Sequence, residues 1–302
     1  MTVVPRADSP VQGLDVAGRW ARSERPGGTS PQYSSGSDPL RRGTGGIVEG
    51  MRYLVLSDVH ANAPALESVL RHAEQRGYDR VLFLGDAVGY YPDAEAVVER
   101  LRSLEPHVAI LGNHDAALLD LADGRGGGHK EEGIVTEVLS KQLSELSAAS
   151  LQFLRELKEH VVEESWEAAH GALRAPWEYL TTIQNAQANL PLLERQLCLI
   201  GHTHVPKVFA VVDGPDGPLW RTVQFRNRHA LYRIPPRARL FVNPGSVGQP
   251  RDNIPMAAYA LFDDDARTLE LFRVEFDVAA VQQGVRDAGY PEVLAARLAL
   301  GR

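Results

Sequence analysis

Cysteine is almost missing from this chain: Cys198 is the single one among 302 residues. One thiol closes no intramolecular disulfide, which excludes a secreted disulfide scaffold and favours a reducing compartment. No run of 18 apolar residues occurs, and the amino-terminal stretch lacks the apolar core of a signal peptide, so neither a membrane span nor export is expected. The expectation is a cytoplasmic protein without a membrane partner. Positive charge is also short. Lys and Arg number 32 against 39 Asp and Glu, a net charge of −7, so a polymeric nucleic-acid partner, which needs a basic face, is not expected. The remaining composition, 44% hydrophobic and 24% charged, is that of a globular protein and excludes collagen-like, coiled-coil and wholly disordered chains.

Breakers crowd the first 50 residues, which hold 9 Gly and 5 Pro and sustain neither helical nor strand periodicity. Residues 1–50 therefore read as a disordered tail, or as the product of a misplaced start codon, and 51–302 as the folded domain. From Met51 the pattern changes. Apolar runs at 53–56, 81–84 and 108–111 alternate with helical patterns that Pro64 and Pro92 open, the signature of parallel βαβ units. Residues 116–160 read as mainly helical, interrupted by Gly124, Gly126, Gly127 and Gly128. That glycine cluster lacks the Lys-Ser/Thr ending of a phosphate-binding loop and reads as a solvated loop or a mobile flap. Beyond Trp166, short β-type runs dominate at 167–169, 197–200, 207–212, 239–242, 257–262 and 269–274, with turns such as 213–218, and a helical tail closes the chain. No internal repeat is present.

Five loops carry the chemistry, and each follows an apolar run: Asp58-Val59-His60, Gly85-Asp86, Gly112-Asn113-His114-Asp115, Ala169-His170-Gly171 and Gly201-His202-Thr203-His204. Asp-x-His and His-x-His let two side chains leave one turn toward a common point. An adjacent glycine lets the backbone bend sharply. Carboxylates and imidazoles without thiolates suit Mn, Fe, Co, Ni or Zn, whereas a magnesium site would use fewer histidines. The other five histidines, His72, His107, His129, His160 and His229, read as structural or solvent-facing. Cys198 reads as inert packing, and the Asp263-Asp264-Asp265 run as an exposed turn.

The five motifs, in this order, resemble the calcineurin-like metallophosphoesterase superfamily, over roughly Met51 to the carboxyl terminus. The resemblance implies an α/β fold, a β-sandwich of two mixed sheets flanked by helices, with two divalent metal ions at the sheet edge, Mn first and Fe, Zn, Ni or Co as alternatives. Carried over by position, it implies Asp58, His60 and His204 on the first ion, Asn113, His170 and His202 on the second, and Asp86 bridging them. Two ions about 3.5–4 Å apart clamp phosphoryl oxygens and acidify a water, so that a metal-activated hydroxide attacks phosphorus. His114 then serves as general acid to the leaving oxygen, with Asp115 orienting its imidazole.

After Gly85-Asp86 the chain reads Ala87-Val88-Gly89-Tyr90-Tyr91-Pro92, not the Asp-Arg-Gly of Ser/Thr phosphoprotein phosphatases. It looks like the small bacterial and archaeal phosphodiesterase-type branch, as do the segments 170–180 and 243–251. The implied activity is hydrolysis of a phosphodiester, with a nucleotide among the candidate substrates. A phosphomonoesterase and a non-catalytic metal-binding scaffold are the alternatives. The expected partner is a small phosphorylated substrate, with a homo-oligomer open. Substrate contacts are expected from Asn62, which also reads as a helix cap, from Arg174, and from Arg251 or the glycine-rich backbone before it. Ala61 departs from the family's usual glycine, which matters only if that residue needs positive φ.

Overall fold

In a computed structural model of the protein, residues 50–125 and 133–302 are described. Of the tail expected at 1–50, all but Gly50 lies outside these residues, as do the glycines at 126–128 and His129.

Strand β1 (Arg52–Leu56) shows how the sequence makes two layers at once. Tyr53 and Val55 enter the apolar cluster between the sheets, while Leu54 and Leu56 enter the cluster beneath the helices. Successive side chains leave opposite faces of a strand, so a continuous apolar run suits one that is buried on both sides. The next strand, β2 (Arg80–Phe83), repeats the division: Val81 and Phe83 face the helices and Leu82 faces the other sheet. Each such side chain contributes roughly 1.5–3 kcal/mol on burial. Between them α1 (Ala63–Glu74) buries Leu66, Val69, Leu70 and Ala73, and Asn62 caps it by accepting the N–H of Ala65. A second helix, α2 (Ala94–Ser103), leads to the short β3 (Val108–Ala109). Strands β1, β2 and β3 pair in parallel, as the βαβ reading expects.

Three helices follow, α3 (Asn113–Ala122), α4 (Ile134–Glu145) and α5 (Ala148–Glu156). The remaining elements are β4 (His160–Val162), β5 (Trp166–Ala169), α6 (Ile183–Asn189), β6 (Leu197–Leu199), β7 (Lys207–Gly214), β8 (Gly217–Gln224), β9 (His229–Arg233), β10 (Arg239–Asn243), β11 (Ala257–Asp263) and β12 (Thr268–Val274), then α7 (Val278–Asp287) and α8 (Glu292–Leu300). Two mixed six-stranded sheets result, β3-β2-β1-β11-β12-β9 and β4-β5-β6-β10-β7-β8. They pack face to face and carry helices outside, the sandwich that the resemblance implies. Elements β4, α6, β8 and β9 were not expected. Strand β8 pairs with β7 across the turn at 213–218. Like β9 it lies at a sheet edge, where one flank faces solvent and the apolar run that betrays a central strand is not required.

No helix among the described residues is long and apolar enough to cross a membrane.

Candidate metal centre

Loops at the carboxyl ends of β1, β2, β3, β5 and β6 bring the motif residues together. Asp58, His60, Asp86 and His204 form one buried group, and Asp86, His170 and His202 another, each with ligand atoms within 4.8 Å of one another. Asp86 belongs to both. Asn113 joins the second group, its Oδ1 lying 3.2 Å from His170 Nε2. The sharp turning comes at a conformational cost: Asp58, His60, Asp86, His202 and His204 all have positive φ, between 51° and 66°. For a residue with a Cβ this region costs roughly 1–2 kcal/mol, and such strain gathers where function requires it. Ala61 has φ 55° as well, so its methyl occupies a conformation that glycine adopts freely.

Hydrogen bonds decide where the protons sit. Nδ1 of His60 faces the Val88 carbonyl at 3.0 Å, Nδ1 of His204 the Gln249 carbonyl at 2.5 Å, and Nδ1 of His170 the Leu84 carbonyl at 2.7 Å. A carbonyl only accepts, so each of these nitrogens donates and each ring turns Nε2 inward. His202 is reversed: its Nε2 donates to the Trp177 carbonyl at 3.1 Å and leaves Nδ1 for the cluster. The inward nitrogens then oppose other acceptors. Nε2 of His60 and Nε2 of His204 stand 3.1 Å apart. Asp86 Oδ2 is buried without a hydrogen bond, 3.5 Å from His60 Nε2 and 3.3 Å from His170 Nε2. Lone pairs aimed at one another in a dry cluster call for positive charge between them, and divalent ions, which take nitrogen and oxygen ligands, would supply it.

The charge balance agrees. Burial holds His60 well below its ordinary range, and burial with the neighbouring His170 takes His202 down to about 3, so both rings are neutral as ligands must be. Burial opposes the charged form of His170, but Asp86 and Asp58 push it up to about 9. Without a cation the cluster draws in a proton instead. Burial also opposes ionised Asp58 and Asp86, yet the surrounding imidazoles hold both carboxyls below the usual range.

One expectation changes at the start of α3. His114 lies in the first turn of α3, its ring 4.8 Å from that of His60 and its N–H donating to Asp86 Oδ1 at 2.9 Å. Asp115 was expected to orient that ring. Instead its carboxylate accepts the backbone N–H groups of Asp86, Ala87, Val88 and Gly112, which fastens the Asp86 loop to the start of α3. Burial and Asp86 push the Asp115 carboxyl up to about 7 against those donors. Gly112 is required where these loops meet: a Cβ there would lie 2.1 Å from Asp86 Oδ1.

Among the expected substrate contacts, Asn62 is fully buried and spends both amide atoms, capping α1 and donating to the Gly248 carbonyl at 2.9 Å. Both atoms thus serve the fold, as the helix-cap reading expects. Arg174 is half exposed and paired with Glu178. The glycine-rich backbone is spent internally, since Gly245, Val247, Gly248 and Gln249 donate to Asn243, Ser57, Asp58 and Ser246. Arg251 differs. Its guanidinium donates to Gln249 Oε1 at 2.8 Å and to the Tyr90 hydroxyl at 3.0 Å, and has no carboxylate partner among the described residues.

Sequence reasoning missed Gln142 of α4. Its Oε1 accepts the Gly89 N–H at 2.8 Å and its Nε2 donates to the Tyr91 carbonyl, pinning the loop whose Tyr90 ring packs on His60 and His114. A lone glutamine in a helical pattern carries no sequence signal of that task. The described histidines outside the cluster are scaffold, as expected; His72 meets Tyr259, and His160 meets Glu167.

A two-sheet sandwich that converges Asp, Asn and His from its strand ends on two cation positions with a shared carboxylate defines a metallophosphoesterase. The chain belongs to the calcineurin-like phosphoesterase superfamily, whose domain model matches residues 51–267. An uncharacterized protein of Methanocaldococcus jannaschii is 30% identical over 255 residues, covering 82% of this chain and 97% of its own. The crystal structure of a metallophosphoesterase from Sphaerobacter thermophilus matches with TM-score 0.71 and 36% identity, over 84% of this chain and 100% of that one. A hypothetical protein from Pyrococcus horikoshii shares the fold, with TM-score 0.66 and 20% identity over 83% and 99% of the two chains.

Proposed function

We propose that the protein is a phosphodiesterase using two divalent cations, manganese foremost, on a small phosphorylated substrate in the cytoplasm. Asp58, His60 and His204 would hold one ion and Asn113, His170 and His202 the other, with Asp86 available to both. The observation that carries this reading is the buried Asp86 Oδ2, which has no hydrogen bond and lies between the inward nitrogens of His60 and His170. Bound divalent ions would polarise the phosphoryl oxygens and supply a nucleophilic water at neutral pH.

The chain's own residues do the rest. Arg251, a half-buried guanidinium with only neutral partners, binds a phosphoryl oxygen and orients the ester. His114 hands a proton to the departing oxygen. The ring packing of Tyr90 on His60 and His114 holds that acid in place and keeps water from its face. Preference for a diester is supported by the Gly-Asp-x-x-Gly-Tyr stretch standing where phosphoprotein phosphatases carry Asp-Arg-Gly.

The full chain is loaded with Mn²⁺ and assayed on bis(p-nitrophenyl) phosphate beside p-nitrophenyl phosphate. The diester is expected to turn over faster. His114→Ala should keep its metal content and lose on the order of 10²–10⁴-fold in rate. Faster monoester turnover would point to a phosphomonoesterase, and full metal occupancy with no turnover to a scaffold.

A further inference from the structure

The loop after His170 sets an exposed ring at the edge of the cluster. Tyr179 is 47% exposed, and it is the single aromatic among the exposed large apolar side chains of the described residues. Its ring nevertheless lies flat on the His202 imidazole, with centroids 4.0 Å apart and planes 17° from parallel. The Trp177 carbonyl, two residues earlier, already fixes the tautomer and direction of His202, so the Tyr179 ring is not needed for that. One face of the phenol is satisfied by the imidazole. The exposure falls on the rest of the ring. Aromatic area held rigid in water regains its hydration cost when a second flat ring covers it. The Tyr179 phenol also lies within electrostatic reach of Arg251, the group assigned above to the phosphoryl oxygen. An anion hook and a stacking shelf thus share one rim.

We infer that Tyr179 is a specificity-determining residue that stacks a planar aromatic group on the phosphoester, of which a nucleobase is the biological form. The inference rests on the phosphoesterase reading and names its substrate class. Stacking on a protein ring tolerates any base, because every base presents a π-face.

Adenosine 5′-monophosphate and ribose 5-phosphate differ only in the base. Their binding to the Mn²⁺-loaded full chain is measured by titration calorimetry for wild type, Tyr179→Phe and Tyr179→Ala. Wild type and Tyr179→Phe should bind the nucleotide more tightly than the sugar phosphate. Tyr179→Ala should weaken the nucleotide roughly 5- to 150-fold more than it weakens ribose 5-phosphate, the range for losing one stacking partner. Equal affinities in the wild type would overturn the inference. So would equal weakening of both ligands in Tyr179→Ala, since a ring that only steadies His202 acts on every phosphate. If wild type hydrolyses the diester yet binds neither ligand, the stacking shelf fails while the phosphoesterase reading stands. If the wild type hydrolyses neither ester, the phosphoesterase reading itself fails.

Discussion

From Leu54 to Leu56 the chain is extended, apolar and wholly buried, whereas from Asp58 to Ala61 it holds three left-handed residues and two titratable side chains without exposure. The two stretches are neighbours in sequence and opposite in energetics. The strand gains from every side chain, roughly 1.5–3 kcal/mol for each Val, Leu, Ile or Phe buried. The loop loses roughly 1–2 kcal/mol for each left-handed residue and more for each desolvated charge. Loops of this kind persist because the strands beneath over-determine their shape. Stability is stored in the strands and function in the loops, so substitutions in the two should fail in different ways.

Asp86→Ala tests this division most severely. That carboxylate belongs to both candidate ligand groups, so the variant should retain neither metal equivalent by elemental analysis and show no turnover above background. Its metal-free melting temperature should stay within about 4 °C of metal-free wild type, because relief of the buried carboxylate's desolvation offsets most of the lost His114 N–H bond and the lost attraction to His170. A large loss of metal-free stability would break the comparison. Chelation should then lower the melting temperature of wild type alone; an ion at 100 times its Kd adds about 2.7 kcal/mol.

Leu82→Ala is the converse. Leu82 is fully buried between the sheets, and a cavity there should cost about 2–5 kcal/mol in denaturant unfolding. Metal stoichiometry and kcat of the folded fraction should not change. Gly112→Ala falls between the two, because its Cβ would meet Asp86 Oδ1 at 2.1 Å and the Asp86 backbone nitrogen at 2.3 Å. Overpacking should cost about 1–3 kcal/mol, and displacement of the carboxylate about 10²-fold in rate. A variant that loses stability but not rate would show that the loop absorbs the intrusion without moving Asp86.

The smallest effect belongs to Ala61→Gly. Relief of left-handed strain gains about 1–2 kcal/mol. Loss of a buried methyl costs about 0.8 kcal/mol, and added freedom of the unfolded chain about 0.4–1 kcal/mol. These nearly cancel, so the net change in unfolding free energy should be within about 1 kcal/mol. A greater loss would mean that this left-handed residue carries no strain.

Much of this division could be read from the chain itself. Apolar runs such as 53–56 and 81–84 are buried on both faces, and burial on both faces leaves an unbroken pattern. Asp58, His60, Asp86, His170, His202 and His204 stood out because carboxylates and imidazoles set as Asp-x-His and His-x-His or beside glycines, directly after such runs, have few other uses. The same reasoning misjudged Asp115, and saw the cap that Asn62 makes on α1 but not its bond to Gly248. Both side chains bond to backbone of distant loops, and a backbone partner has no residue type to recognise. Gln142 was hidden for the same reason. Edge strands β8 and β9 were hidden because solvent on one flank relaxes the pattern that marks a strand.

The four imidazoles of the cluster take their tautomers from the main-chain carbonyls of Leu84, Val88, Trp177 and Gln249. A carbonyl is the same group whatever side chain its residue carries. The supports that set each ring are therefore indifferent to substitution at the positions providing them, provided the backbone path is kept. A substitution at the exposed Tyr179 on the rim therefore leaves the orientation of all four rings in place. The centre is insulated from the variation that would diversify what it acts on.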